Sequence, residues 1–198
     1  DAAELRLASE FDYANQTVLY LPEGMPEPRA EAFSRAAAEH ITALLEATRG
    51  RAFVLFTSYA NLHEVHRLIA TNSRFPLLVQ GTAPRSVLLR NFRATPHAVL
   101  LATSSFWQGV DVAGDTLSCV IIDKLPFTPP GDPITAARMD AIARDGGNPF
   151  ADYQVPMAIL TLLQGIGRLI RHRQDRGVLS ILDSRILTKG YGRRFLAS

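Results

Sequence analysis

The stretch QGIGRLIRHR, residues 164–173, places a glutamine and arginines in an apolar run that glycines interrupt. Arginine is almost never buried without an anionic partner. At about 100° per residue, a helix would place Gln164, Arg168 and Arg171 on one face about 60° wide. Because the planar guanidinium group suits phosphate, this spacing predicts a phosphate-binding row. A helix whose arginines pair with surface carboxylates is the alternative.

Gly165 and Gly167 lie in the same predicted helix. A glycine inside a helix costs about 1 kcal/mol relative to alanine, so its presence needs a reason. A missing side chain lets a ligand or another backbone approach closely. We expect Gly167 to open such space beside Arg168, with tight packing against a neighbouring element as the alternative.

Apolar strands alternate with helices along the chain. The patterns predict strands at 17–21, 52–56, 76–81, 98–103, 117–123 and 177–183, and helices at 28–50, 60–72, 83–94, 132–147 and 151–173. Continuous apolar strands separated by helices are typical of a parallel sheet covered on both faces. We predict one α/β domain over 1–198 with a doubly wound, mainly parallel sheet. A loop and helical insertion is expected at about 125–150.

Polar residues follow several of the predicted strands. Ligands of doubly wound sheets bind beyond the carboxyl ends of the strands. The segments 57–59, 80–84 and 103–111 lie at such ends. We therefore expect these segments to form the binding edge of the sheet.

The composition fits a folded globular domain. Of 198 residues, 47% are hydrophobic, and the net charge of +2 permits a nucleic-acid or phosphate partner without requiring one. Cys119 is the single cysteine, which excludes a disulfide within the chain and indicates a buried side chain in a reducing compartment. No apolar run reaches the ~18 residues of a membrane span. The chain opens without a signal peptide or an initiator methionine, and we expect a longer protein.

Other polar residues allow two interpretations. His63 and His66 are spaced like a metal pair, but no third ligand is evident, which favours a surface role. Asp123 and Lys124 close a strand, where an ion-pair or capping role competes with a catalytic one. One predicted helix has a basic face, either solvated or able to follow a nucleic-acid backbone, formed by Arg85, Arg90 and Arg93.

The motifs resemble, in order, those of a known helicase family. Gln–x–x–Gly–Arg–x–x–Arg at 164–171 resembles motif VI of superfamily 2 helicases, and 102–127 resembles motif V of the DinG/XPD-like branch. Residues 52–62 resemble motif IV of that branch. Residues 9–22 resemble the entry to its second RecA-like domain, and 184–198 its C-terminal end. The resemblance covers nearly the whole chain and is closest to the bacterial DinG/YoaA group.

This resemblance implies the second RecA-like motor domain of an ATP-dependent DNA helicase, cytoplasmic and bacterial. The first domain would supply the P-loop, the Mg²⁺ ligands and, in some members, an iron–sulfur cluster. The sequence contains neither G-x-x-x-x-G-K-[ST] nor Asp-Glu-x-His. ATP and Mg²⁺ are therefore expected cofactors of the full-length protein, and the isolated chain is expected to be inactive.

The resemblance also implies roles for residues at the ATP site. Arg168 and Arg171 would act as arginine fingers, which contribute on the order of 10³–10⁵ in rate. Gln164 would orient them or the attacking water. The remaining residues implied at the ATP cleft are Gly109, Asp111 and Gly167. A turn-capping role is the alternative for Asp111.

The same resemblance implies a track for single-stranded DNA, held through its backbone and by base stacking. The implied DNA contacts are Thr57, Ser58, Tyr59, Gln80, Gly81, Thr103, Ser104 and Trp107. Hydroxyl and backbone N–H groups at strand ends suit phosphate. Trp107 could stack on a base or pack the motif V loop against the core or the partner domain.

Two other classes of function stay open. The YoaA group is expected to bind a DNA polymerase III accessory subunit, so the chain could be a protein-docking module without catalysis. An independent nucleotide-binding enzyme of the doubly wound class is the other possibility, although the missing P-loop argues against it. The partners expected of a helicase are single-stranded DNA and the N-terminal P-loop domain of the same protein.

Overall fold

Six apolar segments form one parallel sheet in the computed structural model, which describes residues 11–103, 106, 116–129, 131–167, 169–170 and 172–198. The strands are β1 (Thr17–Tyr20), β2 (Ala52–Phe56), β3 (Leu77–Val79), β4 (Val99–Thr103), β5 (Cys119–Ile122) and β6 (Gly177–Ile181). Their order across the sheet is β1-β6-β5-β2-β4-β3, and every described pairing is parallel. The central strands β2, β4 and β5 are buried at every residue, as in a sheet covered on both faces.

Helices cover both faces of this sheet. They are α1 (Tyr13–Gln16), α2 (Phe33–Thr48), α3 (Tyr59–Ala70), α4 (Arg85–Ala94), α5 (Pro133–Arg144), α6 (Val155–Ile166), α7 (Arg185–Thr188) and α8 (Gly192–Leu196). In β2, Val54 and Phe56 pack with α2 and α3, whereas Phe53 and Leu55 belong to the core formed with α4 and α6. This alternation gives two cores, one on each face, and confirms the predicted doubly wound fold.

Helix α2 begins later and ends earlier than the apolar pattern predicts. Its last residue is Thr48, because Arg49 and Gly50 both adopt positive φ, 56° and 68°. A Cβ on Gly50 would lie 2.1 Å from the carbonyl oxygen of His97. The close approach of two backbones therefore requires glycine here and directs the chain into β2.

The helix predicted over 151–173 is wrong at its carboxyl end. The segment opens with a π-helical turn, Phe150–Gln154, and continues as α6, which ends at Ile166. Beyond that point Leu169 is buried, and its side chain lies against Gly177 at the start of β6. The described residues 169–170 and 172–173 are therefore outside α6.

The segment between β5 and α6 and the carboxyl end of the chain add helices outside the sheet. In α5 only Thr135 is buried, so most of that helix faces solvent. The end of the chain forms the short helices α7 and α8, whose Ile186 and Phe195 belong to the core on the α6 side. Among the described residues, no helix combines the length and apolar character needed to cross a membrane.

Candidate functional site

The residues that follow neighbouring strands meet at one edge of the sheet, because the strands are parallel. We call this the carboxyl edge and define it by Thr57–Asn61, Gln80, Gly81, Thr103 and Asp123. These residues follow or end the adjacent strands β5, β2, β4 and β3. The structure therefore brings together the described part of the predicted strand-end segments.

Asp123 holds the turn after β2 against the end of β5. Its side chain is fully buried. One carboxylate oxygen accepts hydrogen bonds from the backbone N–H groups of Thr57 (2.9 Å) and Lys124 (2.6 Å). The other accepts a hydrogen bond from the side-chain amide of Asn61 at 2.8 Å. Of the alternatives open for Asp123, these contacts support the capping role.

The buried position of Asp123 also changes its acidity. Loss of hydration raises the pKa of this carboxyl to about 7, and the Asn61 amide, the Lys124 charge and the backbone N–H groups act in the opposite direction. Lys124 places its ammonium group over the ring of Phe33, 4.7 Å from the centroid. The carboxyl of Asp123 therefore changes charge near neutral pH while it anchors a turn of the carboxyl edge.

Gln80 connects two further parts of the carboxyl edge. Its carbonyl oxygen accepts hydrogen bonds from the backbone N–H (2.6 Å) and the hydroxyl (3.0 Å) of Thr103. Its amide group donates a hydrogen bond to the hydroxyl of Tyr59. Gln80 and Thr103 are both buried, whereas Gly81 beside them is exposed. Direct DNA contacts by these residues stay predictions, and the geometry adds that the polar ends of Gln80 are engaged within the protein.

Tyr59 and Ser58 form the start of α3 at the same edge. The Ser58 hydroxyl caps the helix by accepting a hydrogen bond from the backbone N–H of Asn61 at 3.3 Å. The ring of Tyr59 is 50% exposed. It stacks on the ring of His63, with centroids 6.1 Å apart and planes inclined by 27°. The edge therefore presents an aromatic ring to solvent, supported from within the same helix.

Asp183 is a second strand-end carboxylate, and the sequence reasoning missed it. It follows β6 and is buried, and it accepts hydrogen bonds from the backbone N–H of Leu125 at 2.8 Å and from the guanidinium group of Arg185. The sequences VIID (120–123) and SILD (180–183) both end a strand-like segment with two aliphatic residues and an aspartate. This repeated pattern could have identified Asp183 together with Asp123.

The conspicuous stretch of the sequence, 164–173, lies partly within the described residues. Gln164 is exposed on the last turn of α6. Gly167 follows the helix, and its N–H donates a hydrogen bond to the carbonyl oxygen of Leu163. Its position at the helix end gives Gly167 a structural role in addition to the predicted one. The predicted site residues that lie outside the described residues are Ser104, Trp107, Gly109, Asp111, Arg168 and Arg171.

Three other interpretations gain structural detail. Cys119 is buried, and loss of hydration raises the pKa of its thiol to about 12, which confirms a core role. Among the residues that the structure describes, no group of histidine, cysteine and acidic side chains could hold a metal ion. The basic face of α4 is exposed, and one of its guanidinium groups, that of Arg85, lies 5.4 Å from the centroid of the Phe106 ring.

Comparison with known proteins assigns this chain to a family. Residues 41–198 match the family model for the helicase C-terminal domain. The chain is 46% identical to the ATP-dependent DNA helicase YoaA of Escherichia coli, over 100% of this chain and 31% of that protein. It is 38% identical to the 3'-5' exonuclease DinG of Bacillus subtilis, over 97% of this chain and 22% of that protein.

The solved structures agree on the fold. An XPD helicase superposes with a TM-score of 0.73 at 18% identity, over 91% of this chain and 34% of that one. The chain spans about a third or less of the length of these relatives. The family model, by contrast, covers most of this chain. The chain therefore belongs to the helicase C-terminal domain family, with YoaA and DinG among its relatives.

Proposed function

We propose that this chain is the second motor domain of an ATP-dependent DNA helicase. The observation that carries the proposal is the 46% identity, over the whole chain, to a protein named as an ATP-dependent DNA helicase. In this role the chain completes an ATP site between two motor domains and provides part of a single-stranded DNA track. The P-loop domain of the same protein is its partner.

The sequence and the geometry of α6 support a complementary part in ATP hydrolysis. The sequence has no P-loop and no Asp-Glu-x-His pattern, so the phosphates and Mg²⁺ would be held by the other domain. Gln164 is exposed on the last turn of α6. A helix carries a partial negative charge at this end, so a phosphate near it needs cationic side chains.

Arg168 and Arg171 would provide these cations. Phosphoryl transfer depends mainly on positioning and on stabilising the charge of the transition state, and a guanidinium group does both. Bound ATP with Mg²⁺ supplies the phosphoryl group and its metal-polarised oxygens. On this proposal, Gln164 orients the arginines or the attacking water, with Gly167 beside them and Gly109 and Asp111 lining the cleft.

The carboxyl edge would carry single-stranded DNA. Thr57, Ser58 and Tyr59 are exposed there, and the backbone beneath them is held by the buried carboxylate of Asp123. Exposed hydroxyl and N–H groups at a strand end suit a phosphate backbone, and an aromatic ring suits a base. Gly81 extends the exposed part of this edge beside Gln80.

The test uses the protein that joins this chain to its P-loop domain. Replacing Arg168→Ala and Arg171→Ala together should lower DNA-stimulated ATP hydrolysis by about 10³-fold or more. Binding of single-stranded DNA without nucleotide should change little. Arg144→Ala is the matched control, because Arg144 is an exposed arginine on α5. Full DNA-stimulated ATPase activity in the double variant would contradict the proposal.

A DNA polymerase III accessory subunit stays a proposed partner, supported by the similarity to YoaA. A protein-docking role would be favoured if the full-length protein captured this purified subunit while the chain made no measurable contribution to DNA binding. Retention of the subunit after the two arginine substitutions would show that docking and ATP hydrolysis use different surfaces.

A further inference from the structure

Gln80 uses both ends of its side chain to join separate elements. The carbonyl oxygen accepts two hydrogen bonds from Thr103, the last residue of β4. The amide group donates to the hydroxyl of Tyr59, the first residue of α3. Its own backbone N–H donates to Leu101 in β4 at 2.9 Å. The residue is therefore fixed to β4 and carries a contact across to α3.

The side-chain chemistry of glutamine fits this position closely. The site needs an acceptor toward Thr103 and a donor toward Tyr59, and the side-chain amide supplies both. Gln80 is 9% exposed, so loss of either contact would leave a polar group poorly satisfied. A glutamine buried in this way serves the arrangement of its neighbours, since its polar atoms are engaged inside the protein.

Tyr59 is the exposed end of this connection. Half of its surface is accessible, and its ring stacks on that of His63. The hydroxyl contact from Gln80 and the support from His63 together restrict rotation of the ring. Because the rotation of this ring is already restricted, little conformational entropy is lost when a flat partner stacks on it.

We propose that Gln80 is a positioning residue that holds the ring of Tyr59 as a stacking surface for a base of single-stranded nucleic acid. The inference rests on the proposed function, because it names the contact by which the carboxyl edge would grip a nucleotide. Gln80 itself does not touch the nucleic acid. It acts through Tyr59 and couples that ring to the end of β4.

The first experiment tests the ring. In the protein that includes the P-loop domain, Tyr59→Ala should weaken binding of an oligodeoxythymidine strand by about 5- to 150-fold, the range for loss of one stacked base. An oligonucleotide carrying 2-aminopurine should lose fluorescence on binding to the wild-type protein and to Tyr59→Phe. On binding to the Tyr59→Ala variant, the oligonucleotide should lose less of its fluorescence than on binding to the wild-type protein.

The second experiment tests the role of Gln80. Tyr59→Phe removes the hydroxyl and keeps the ring, and Gln80→Met keeps a side chain of similar length without its hydrogen bonds. Each should raise the KM for single-stranded DNA in the ATPase assay by about 2- to 10-fold, with kcat nearly unchanged. Because Gln80 acts through the Tyr59 hydroxyl, the double variant should bind no more weakly than Gln80→Met alone.

Controls separate this role from a merely structural one. Gln154→Met removes a half-buried glutamine whose amide contacts Met139 of α5, and it should leave the KM for DNA unchanged. A lower melting temperature in Gln80→Met with an unchanged KM would overturn the inference. So would a double variant whose increase in KM is the product of the increases caused by Tyr59→Phe and by Gln80→Met alone. If Gln80→Met folds poorly, Tyr59→Phe and Tyr59→Ala still test the inference, because Tyr59 is half exposed.

The same measurements distinguish failure of this inference from failure of the proposed function. If the wild-type protein neither binds single-stranded DNA nor responds to it in ATP hydrolysis, the proposed function and the inference are both wrong. If the wild-type protein binds DNA and Tyr59→Ala binds equally well, the inference alone is wrong.

Discussion

Asp123 shows how one buried carboxyl group can organise the carboxyl edge. Three donors converge on it, two from the backbone and one from Asn61. Asn61 accepts in turn from the Ser34 hydroxyl at 3.4 Å, and that hydroxyl also contacts Glu64 at 2.9 Å. This network links α2, α3 and the ends of β2 and β5. These hydrogen bonds thereby hold the backbone of the exposed turn after β2 in place.

The same carboxyl predicts a pH dependence of stability. In the unfolded chain its pKa is near the ordinary 3.8, and in the folded protein burial raises the pKa to about 7. The folded state then holds one more proton between these values. The contribution of this proton to the free energy of unfolding is complete below about pH 4 and is lost as pH rises through about 7. Between these values the free energy of unfolding falls by up to about 1.4 kcal/mol per pH unit.

Asp123→Asn removes this titration and should flatten that part of the profile. The free energy of unfolding, measured with urea between pH 4.5 and 8, should fall for the wild-type protein relative to the variant as pH rises. The variant should also be less stable at low pH, because its side-chain NH2 group cannot accept the hydrogen bond from Asn61 that an oxygen of the protonated carboxyl accepts. Parallel profiles would contradict the assignment.

At the scale of elements, the segment that follows α6 packs against the start of β6. Leu169 is buried among the core residues on one face of the sheet. A Cβ on Gly177 would lie 2.5 Å from the nearest Leu169 methyl carbon and 3.0 Å from the carbonyl oxygen of Ser118. The absence of a side chain at Gly177 therefore lets the segment after α6 pack against the start of β6.

This contact predicts coupled effects of two substitutions. Leu169→Ala should lower the free energy of unfolding by about 2–5 kcal/mol through loss of buried contacts. Gly177→Ala should lower it by about 1–3 kcal/mol through overpacking. The double variant should lose less than the sum, because truncation of the leucine makes room for the new methyl group.

Urea unfolding of the four proteins measures this coupling. Leu160→Ala is the matched control, since Leu160 lies on α6 with 54% of its surface exposed and should change stability by no more than about 0.5 kcal/mol. Strictly additive losses from Leu169→Ala and Gly177→Ala would show that the two residues do not share this contact.

These elements also show what sequence patterns can and cannot predict. The strand at 52–56 is confirmed to the residue as β2, because a short apolar run between turn-forming residues has few other solutions. The end of α6 was missed, since the apolar pattern continues past Ile166 while the backbone turns. The chain beyond this boundary packs through Leu169 against Gly177, and a helical wheel contains no information about that contact.

At the scale of the whole molecule, the strand order decides which polar residues meet. The described parts of the predicted strand-end segments meet at one edge, because parallel strands share their carboxyl ends. The contacts within that edge were not predictable in the same way. Gln80 reaches Thr103 because β3 pairs with β4, and Asp123 reaches Thr57 because β5 pairs with β2. Alternation of strands and helices does not specify these neighbours.

The molecule as a whole also predicts a division of chemistry between domains. A phosphate cradle needs a glycine-rich turn with a lysine, and the metal needs acidic ligands. Neither the P-loop pattern nor Asp-Glu-x-His occurs in this sequence. We therefore expect the purified chain, with ATP, Mg²⁺ and single-stranded DNA, to release phosphate no faster than buffer. Joined to its P-loop domain, the same chain should support DNA-stimulated hydrolysis.

Release of inorganic phosphate measures ATP hydrolysis by the isolated chain and by the chain joined to its P-loop domain. Arginine fingers stabilise a transition state that another site assembles, so their contribution of about 10³–10⁵ in rate exists only when that site is present. The joined protein should therefore lose activity on Arg168→Ala with Arg171→Ala, while the isolated chain shows no activity to lose. The isolated chain could instead hydrolyse ATP and lose this activity on the two substitutions. That result would indicate an independent nucleotide-binding enzyme, with its phosphate site built from residues of this chain alone.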